Sequence, residues 1–302
     1  MSLHPQVVQL IERAAKSPLP QLFEVPPHVA RRLYRDTRAA LAPKAPEVAL
    51  ASLVLAPGPV AMRCYRPQGS KPEASLPALV YFHGGGWVIG DLDTHDVLCR
   101  QLANGARCAV YSVDYRMGPE HPFPAAVEDC IAATNFVASR HPRIAVGGDS
   151  AGGNLATVVA LHARDAGGPD IAYQLLIYPA TDQRAQHPSI TRNGEGYLLT
   201  KRAMEYFRAQ YLPNAADYAD WRASPLLAKR LAGLPPAFLI TAGYDPLLDE
   251  GREYAERMAK EGVHVAYREY ADMVHGFILF GGVVDTANAA VTECCEKLRG
   301  AW

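Results

Sequence analysis

The stretch IAVGGDSAGGNLATVVALHAR, residues 144–164, decides the architecture. Its first five residues are small or apolar without alternation, the pattern of a strand buried on both faces, and residues 151–166 have the length and composition of a helix. Between the two, Gly148-Asp149-Ser150-Ala151-Gly152 forms a GxSxG turn. A serine on a turn this sharp takes strained backbone angles to hold its hydroxyl clear of the strand end. The residues two before and two after it then have no room for a Cβ. The following helix presents the Ala151 N–H and the positive end of its dipole where negative charge could develop.

Working outward, short apolar runs recur at about 48–55, 60–66, 78–83, 108–113, 143–148, 172–177, 237–242 and 264–270, with helix-length segments near 94–105, 124–139, 151–166 and 247–261. This alternation predicts an α/β fold with a mostly parallel, eight-stranded, doubly wound sheet flanked by helices, its functional loops at the carboxyl ends of the strands. Residues 1–45 read as two short helices joined by a turn carrying Pro18, Pro20, Pro26 and Pro27. More than fifty residues separate Tyr178-Pro179 from the run beginning near Pro236, including a helix at about 200–211. That is too long for a plain connection. An insertion at 181–220 that packs over the strand ends is therefore expected, with residues 1–45 as the other half of a helical cap. The catalytic core is expected at 46–180 and 221–302. Leu10, Ile11, Leu19, Leu22, Phe23, Leu33 and Tyr34, with Tyr197, Leu198, Met204, Tyr206, Phe207 and Tyr211, would supply the apolar roof.

The bulk properties agree with such a domain. Of 302 residues, 49% are hydrophobic and 20% charged, and 30 basic side chains face 31 acidic ones. The balance excludes a disordered chain and a broad nucleic-acid-binding surface. The opening MSLHPQVVQL has no secretory pattern, and no apolar run reaches the ~18 residues of a membrane span. A cytoplasmic protein without a membrane partner is expected, with room for a homodimer. The six cysteines are scattered with no CxxC pair, and HExxH, Walker and GxGxxG patterns are absent, so neither a metal nor another cofactor is expected.

Upstream of the turn, LPALVYF runs into His83-Gly84-Gly85-Gly86-Trp87. Three glycines in a row lose more chain entropy on ordering than other residues, so bare backbone must be required there. N–H groups of Gly84, Gly85 and Gly86, with that of Ala151, would form an oxyanion hole, and HGGG is the pattern of that loop in lipases and esterases. His83, at the strand end, is read as holding the loop by hydrogen bonds.

With Ser150 as nucleophile, the chain order expected in this fold is serine, acid, histidine. His275, in a loop after the last strand, is the base. Asp245 follows a buried strand and is the acid that orients His275. Asp249 and Glu250, in the first turn of the next helix, are expected to be solvated, and Asp272 is a weaker rival too close in sequence to His275.

The assembled motifs HGGGW (83–87), GDLDTHD (90–96), VDYRMGPEHPFPAA (113–126), GDSAGGN (148–154), LLIYP (175–179), DPLLDEG (245–251) and HGF (275–277) resemble, in order and spacing, the hormone-sensitive-lipase-like family of bacterial carboxylesterases. The resemblance implies an α/β-hydrolase fold with a cap. It also implies hydrolysis of short acyl esters by Ser150, His275 and Asp245 through an acyl-enzyme, with a small-molecule ester as partner and no metal. Met117-Gly118 and Asp272 depart from the family pattern. Amide hydrolysis is the rival chemistry. A pure binding module, such as the related gibberellin receptor, is disfavoured because the serine, the acid and the histidine are all present.

Overall fold

The computed structural model describes residues 2–58 and 60–302. Strands β1 Leu50–Ala56, β2 Val60–Arg66, β3 Ala78–Phe82, β4 Ala109–Asp114, β5 Ile144–Asp149, β6 Ile171–Ile177, β7 Ala237–Tyr244 and β8 Val265–Val274 form one sheet in the order β1-β2-β4-β3-β5-β6-β7-β8. β2 runs antiparallel to both of its neighbours, and every other pairing is parallel. The α-helices are α1 Pro5–Ala15, α2 Pro27–Leu41, α3 Asp96–Ala106, α4 Ala125–Ala138, α5 Ala151–Ala166, α6 Pro188–Arg192, α7 Lys201–Tyr211, α8 Leu248–Lys260 and α9 Asp285–Arg299. The mostly parallel eight-stranded sheet expected from the alternating pattern is the one observed.

Strand alternation divides the core into two layers. On β3, Val80 and Phe82 pack with Cys130, Ala133, Leu155, Tyr254 and Met258 of α4, α5 and α8. Leu79 and Tyr81 point the other way, to Leu98, Leu102, Val291 and Leu298 of α3 and α9. Each such large apolar side chain taken from water stabilises the fold by about 1.5–3 kcal/mol. All six cysteines are buried free thiols. Cys64 and Cys130 lie in the first layer, and Cys99, Cys108, Cys294 and Cys295 in the second.

Because β4 lies outside β3, the chain leaves β3 toward one side and reaches β5 on the other. The loops after β3 and β5 therefore diverge, opening a crevice at the carboxyl ends of these two strands. The register Phe82↔Gly148 sets the loop beginning at His83 beside the turn at Ser150.

The N-terminal helices part company. In α2, Ala30 and Tyr34 pack against Val88, Ile89 and, on α7, Ala203 and Phe207. Leu22 and Phe23 join that cluster. Helix α1 lends no side chain to the lining of the cavity at Ser150: Val7 and Leu10, with Ile11 beside them, share the apolar cluster of Met273, Val274, Phe277 and Ile278 at the end of β8. The expectation that Leu10 and Ile11 cover the site is thus corrected. The His4 N–H donates to the Asp272 carbonyl (3.1 Å), and Gln6 bonds Asp285, so the start of α1 is tied to the far edge of the sheet.

Candidate active site

Ser150 has φ 56° and ψ −117°, a backbone conformation that ordinary side chains rarely adopt. Its surroundings over-determine it. The Ser150 N–H donates to the Ile177 carbonyl (2.9 Å), and its carbonyl accepts from Asn154 (3.0 Å) and Ala180 (3.2 Å). A Cβ on Gly148 or Gly152 would be driven into the Phe82 carbonyl, so the glycines of GxSxG are required by the neighbouring strand.

Three loops bring their side chains to this point. His275 Nε2 lies 2.9 Å from Ser150 Oγ, and His275 Nδ1 lies 2.6 Å from Asp245 Oδ2. Asp245 is fully buried. Its other oxygen accepts from the Leu247 N–H (2.8 Å), which fixes the carboxylate at the end of β7. The Tyr178 ring packs on His275 with centroids 4.7 Å apart. Asp272 is held by its backbone to His4, and it is Asp245 that bonds the imidazole. Asn193, which nothing in the sequence singled out, donates to the Gly243 carbonyl (3.1 Å) and the Asp245 carbonyl (3.0 Å) and so ties the end of α6 to the acid-bearing loop.

A cavity of about 290 Å³ opens at Ser150. Ala180, Ile190, Leu199, Met204, Phe207 and Leu247 supply its apolar wall, with Asp182, Lys201 and Arg208 among its polar groups. Of the expected roof residues, Met204 and Phe207 line it. Tyr211 instead stacks on Trp87 (4.7 Å, 2°), and Tyr197 packs on Tyr244.

The family model described as alpha/beta hydrolase fold matches residues 79–279. The chain belongs to this family. It is 45% identical to the esterase LipI of Mycobacterium tuberculosis over 251 residues, covering 80% of this chain and 78% of the relative. It is 36% identical to the ethyl acetate hydrolase of Pseudomonas putida, with 99% of both chains covered. Among solved structures, an alpha/beta hydrolase enzyme from the metagenome of Lake Arreo superposes with a TM-score of 0.94 at 41% identity, covering 99% of this chain and 98% of the other. The hyperthermophilic esterase of the archaeon Pyrobaculum calidifontis gives 0.92 at 37% identity, with 99% of each chain covered.

Two readings of individual residues change against this hydrolase frame. First, of the four glycine and alanine N–H groups expected around the oxyanion, that of Gly84 is already used: it donates to Asp149 Oδ1 (3.0 Å). The N–H groups of Gly85, Gly86 and Ala151 have no protein acceptor among the described residues, and Gly86 borders the cavity beside Ser150. Second, Glu250 is not solvated. It is 1% exposed in the cavity wall, and its Oε1 accepts from the Thr181 N–H (2.6 Å) and the Asp182 N–H (3.2 Å). Burial pushes its carboxyl up to about 8, past the opposing effect of those two bonds. Asp249 bonds the Ser189 N–H and Arg192 instead, fastening α6 to α8.

His83 holds its loop in the expected manner. Its Nδ1 is 2.9 Å from the Gly84 carbonyl, its ring stacks on Tyr115 (4.4 Å, 16°), and the Tyr115 hydroxyl donates to the His83 carbonyl (2.6 Å). Burial, reinforced by neighbouring His95, lowers His83 to about 4, so it is a neutral strut.

Proposed function

We propose that the chain is a serine carboxylesterase that hydrolyses esters of short- to medium-chain carboxylic acids through an acyl-enzyme. The observation that carries the reading is the chain of two short contacts, Asp245 to His275 and His275 to Ser150, beside a cavity that Ser150 itself lines. Relatives named as esterases, matched over most of their length, support it.

In this reading Ser150 Oγ attacks the ester carbonyl while His275 Nε2 accepts its proton. Asp245 keeps the ring in the tautomer that can do so and stabilises the imidazolium. The tetrahedral oxyanion is met by N–H groups of Gly85, Gly86 and Ala151, where one such donor is commonly worth about 2.7–4 kcal/mol. His275 returns the proton to the departing alkoxide, leaving an acyl group on Ser150. Water, activated by the same histidine, then releases the acid.

The cavity sits near the lower end of the ~300–1,000 Å³ range of small-molecule sites, which suits small acyl groups. A panel of 4-nitrophenyl esters from acetyl to palmitoyl tests the reading, with and without a serine-directed phosphonate. Specificity should rise by roughly fourfold per methylene, peak near butyryl to hexanoyl and then fall. A rate that keeps rising through palmitoyl, or jumps when the ester passes its solubility limit, would make this a lipase. Turnover untouched by the phosphonate would remove Ser150 from the chemistry.

A further inference from the structure

Two motifs remain without a role in that mechanism, the aspartate inside GDSAG and the histidine inside GDLDTHD. They meet behind the oxyanion loop. Asp149 is the last residue of β5, 2% exposed, and does not line the cavity. Its Oδ1 accepts from the Tyr81 hydroxyl (2.8 Å) and from the Gly84 N–H (3.0 Å). His95, fully buried, brings Nε2 to 3.1 Å from Oδ1 and 3.3 Å from Oδ2, and its Nδ1 is 2.9 Å from Thr94 Oγ1.

Resting on the ester-hydrolase reading, we propose that Asp149, braced by His95 and Tyr81, is a positioning residue for the oxyanion hole: by drawing the Gly84 N–H out of the site, it turns the next two N–H groups toward Ser150. Three observations converge on this. The first is the committed Gly84 N–H set against the unengaged N–H groups of Gly85 and Gly86. A second is sterics: a Cβ on Gly84 would collide with the Asp149 carboxylate, so the first glycine of the triplet is there to admit that carboxylate and not to bind the oxyanion. The third is connectivity. Asp149 is joined to Ser150 by one peptide bond and to the loop by one hydrogen bond, so nucleophile and donors are placed by a single residue.

Charge makes the anchor firm. Burial alone would push the Asp149 carboxyl up, but His95 outweighs it, with the Tyr81 hydrogen bond adding, and holds the group at about 2. It is an anion at every working pH, and an ionised acceptor grips an N–H more strongly than a neutral one.

The test compares Asp149→Ala, Asp149→Asn, His95→Gln and Tyr81→Phe with the parent enzyme. The readouts are kcat and KM for 4-nitrophenyl butyrate, melting temperature, and inhibition by a trifluoromethyl ketone and its methyl ketone analogue. The fluorinated ketone adds to Ser150 as an anionic hemiketal that needs the oxyanion donors, whereas the methyl ketone probes the pocket alone. For Asp149→Ala, kcat should fall about 100-fold with KM within about threefold, and trifluoromethyl ketone affinity should fall by a like factor while methyl ketone affinity holds. Asp149→Asn, which retains an acceptor, should lose about tenfold, and Tyr81→Phe and His95→Gln about three- to tenfold, in the same pattern. If Asp149→Ala does not fold, these milder variants carry the test. A lower melting temperature with unchanged kcat, or a kcat loss without loss of trifluoromethyl ketone affinity, overturns the proposal. A parent enzyme that neither binds this ketone nor reacts with a phosphonate overturns the ester-hydrolase reading itself, and this proposal with it.

Discussion

Residues 144–166 and the segment 181–220 both border the same cavity, yet they are held in place by different physics. The strand, turn and helix of the first are almost wholly buried, and backbone packs directly on backbone: Gly148 and Gly152 against Phe82, and Gly153 against Pro179. The second segment is fastened by side chains reaching to neighbouring loops, such as Asn193 to the Asp245 carbonyl, Ser189 to the Pro246 carbonyl (2.6 Å) and Arg192 to Asp249. Backbone packing admits almost no substitution, whereas side-chain fastening can be exchanged piece by piece. The first region should therefore govern whether chemistry occurs, and the second which ester it occurs on.

The largest expected effect lies at Ser150 of the first region and at the histidine that meets it. Ser150→Ala and His275→Ala should each lower kcat by about 10⁴-fold or more with the fold intact, and the double variant should lose little beyond either one, because groups acting as a unit are not additive. Losses that multiply would dissolve the unit and with it the contrast between the regions. Asp245→Asn should follow at about 10³–10⁴-fold, set against Asp249→Asn at under about threefold in kcat, since Asp249 only fastens α6. The reverse order would move the acid to Asp249.

The second region should answer in specificity. Met204→Ala deepens the cavity wall, so the preferred acyl chain should lengthen by about one or two carbons, each worth ~0.8 kcal/mol, while kcat for the best ester stays within about threefold. An unchanged length profile, or a collapse of kcat, would show α7 to be part of the chemical machinery.

The smallest effect concerns Glu250 of α8, whose carboxyl meets the second region at Thr181 and Asp182. Its folded value of about 8 lies above the ordinary 4.5, so the native state holds a proton that the unfolded chain has released between those values. Stability from this group is thus fully present below about 4.5 and declines as pH rises toward 8. Glu250→Gln keeps an acceptor for the Thr181 and Asp182 N–H groups, and its melting temperature should fall less between pH 5 and 9 than that of the parent. Parallel curves would show that Glu250 ionises alike in both states.

What could be read without a structure was whatever is encoded locally. The continuous apolar run of β5, the glycines flanking Ser150 and the helix after it lie within two dozen residues of one another, and the positions of Asp245 and His275 follow from strand ends that periodicity marks. The geometry does bring Ser150, His275 and Asp245 together. Distant partnerships that no motif or chain order marks were not legible. Glu250 looked like a helix-start acid because its partner, Thr181, lies 69 residues away. Gly84 looked like an oxyanion donor because Asp149 lies 65 residues on. Helix α1 has an amphipathic face in either placement, and only the surface it finds, the Met273 to Ile278 stretch, separates roof from flank.

The buried thiols give the molecule a built-in record of how it comes apart. Burial pushes Cys295 up to about 12 and the other five above the ordinary thiol range, so the native protein should resist alkylation throughout its working conditions. Any label acquired then dates an opening event. Because two thiols sit on one side of the sheet and four on the other, mapping the alkylated peptides after brief heating would tell which layer of helices lifts first.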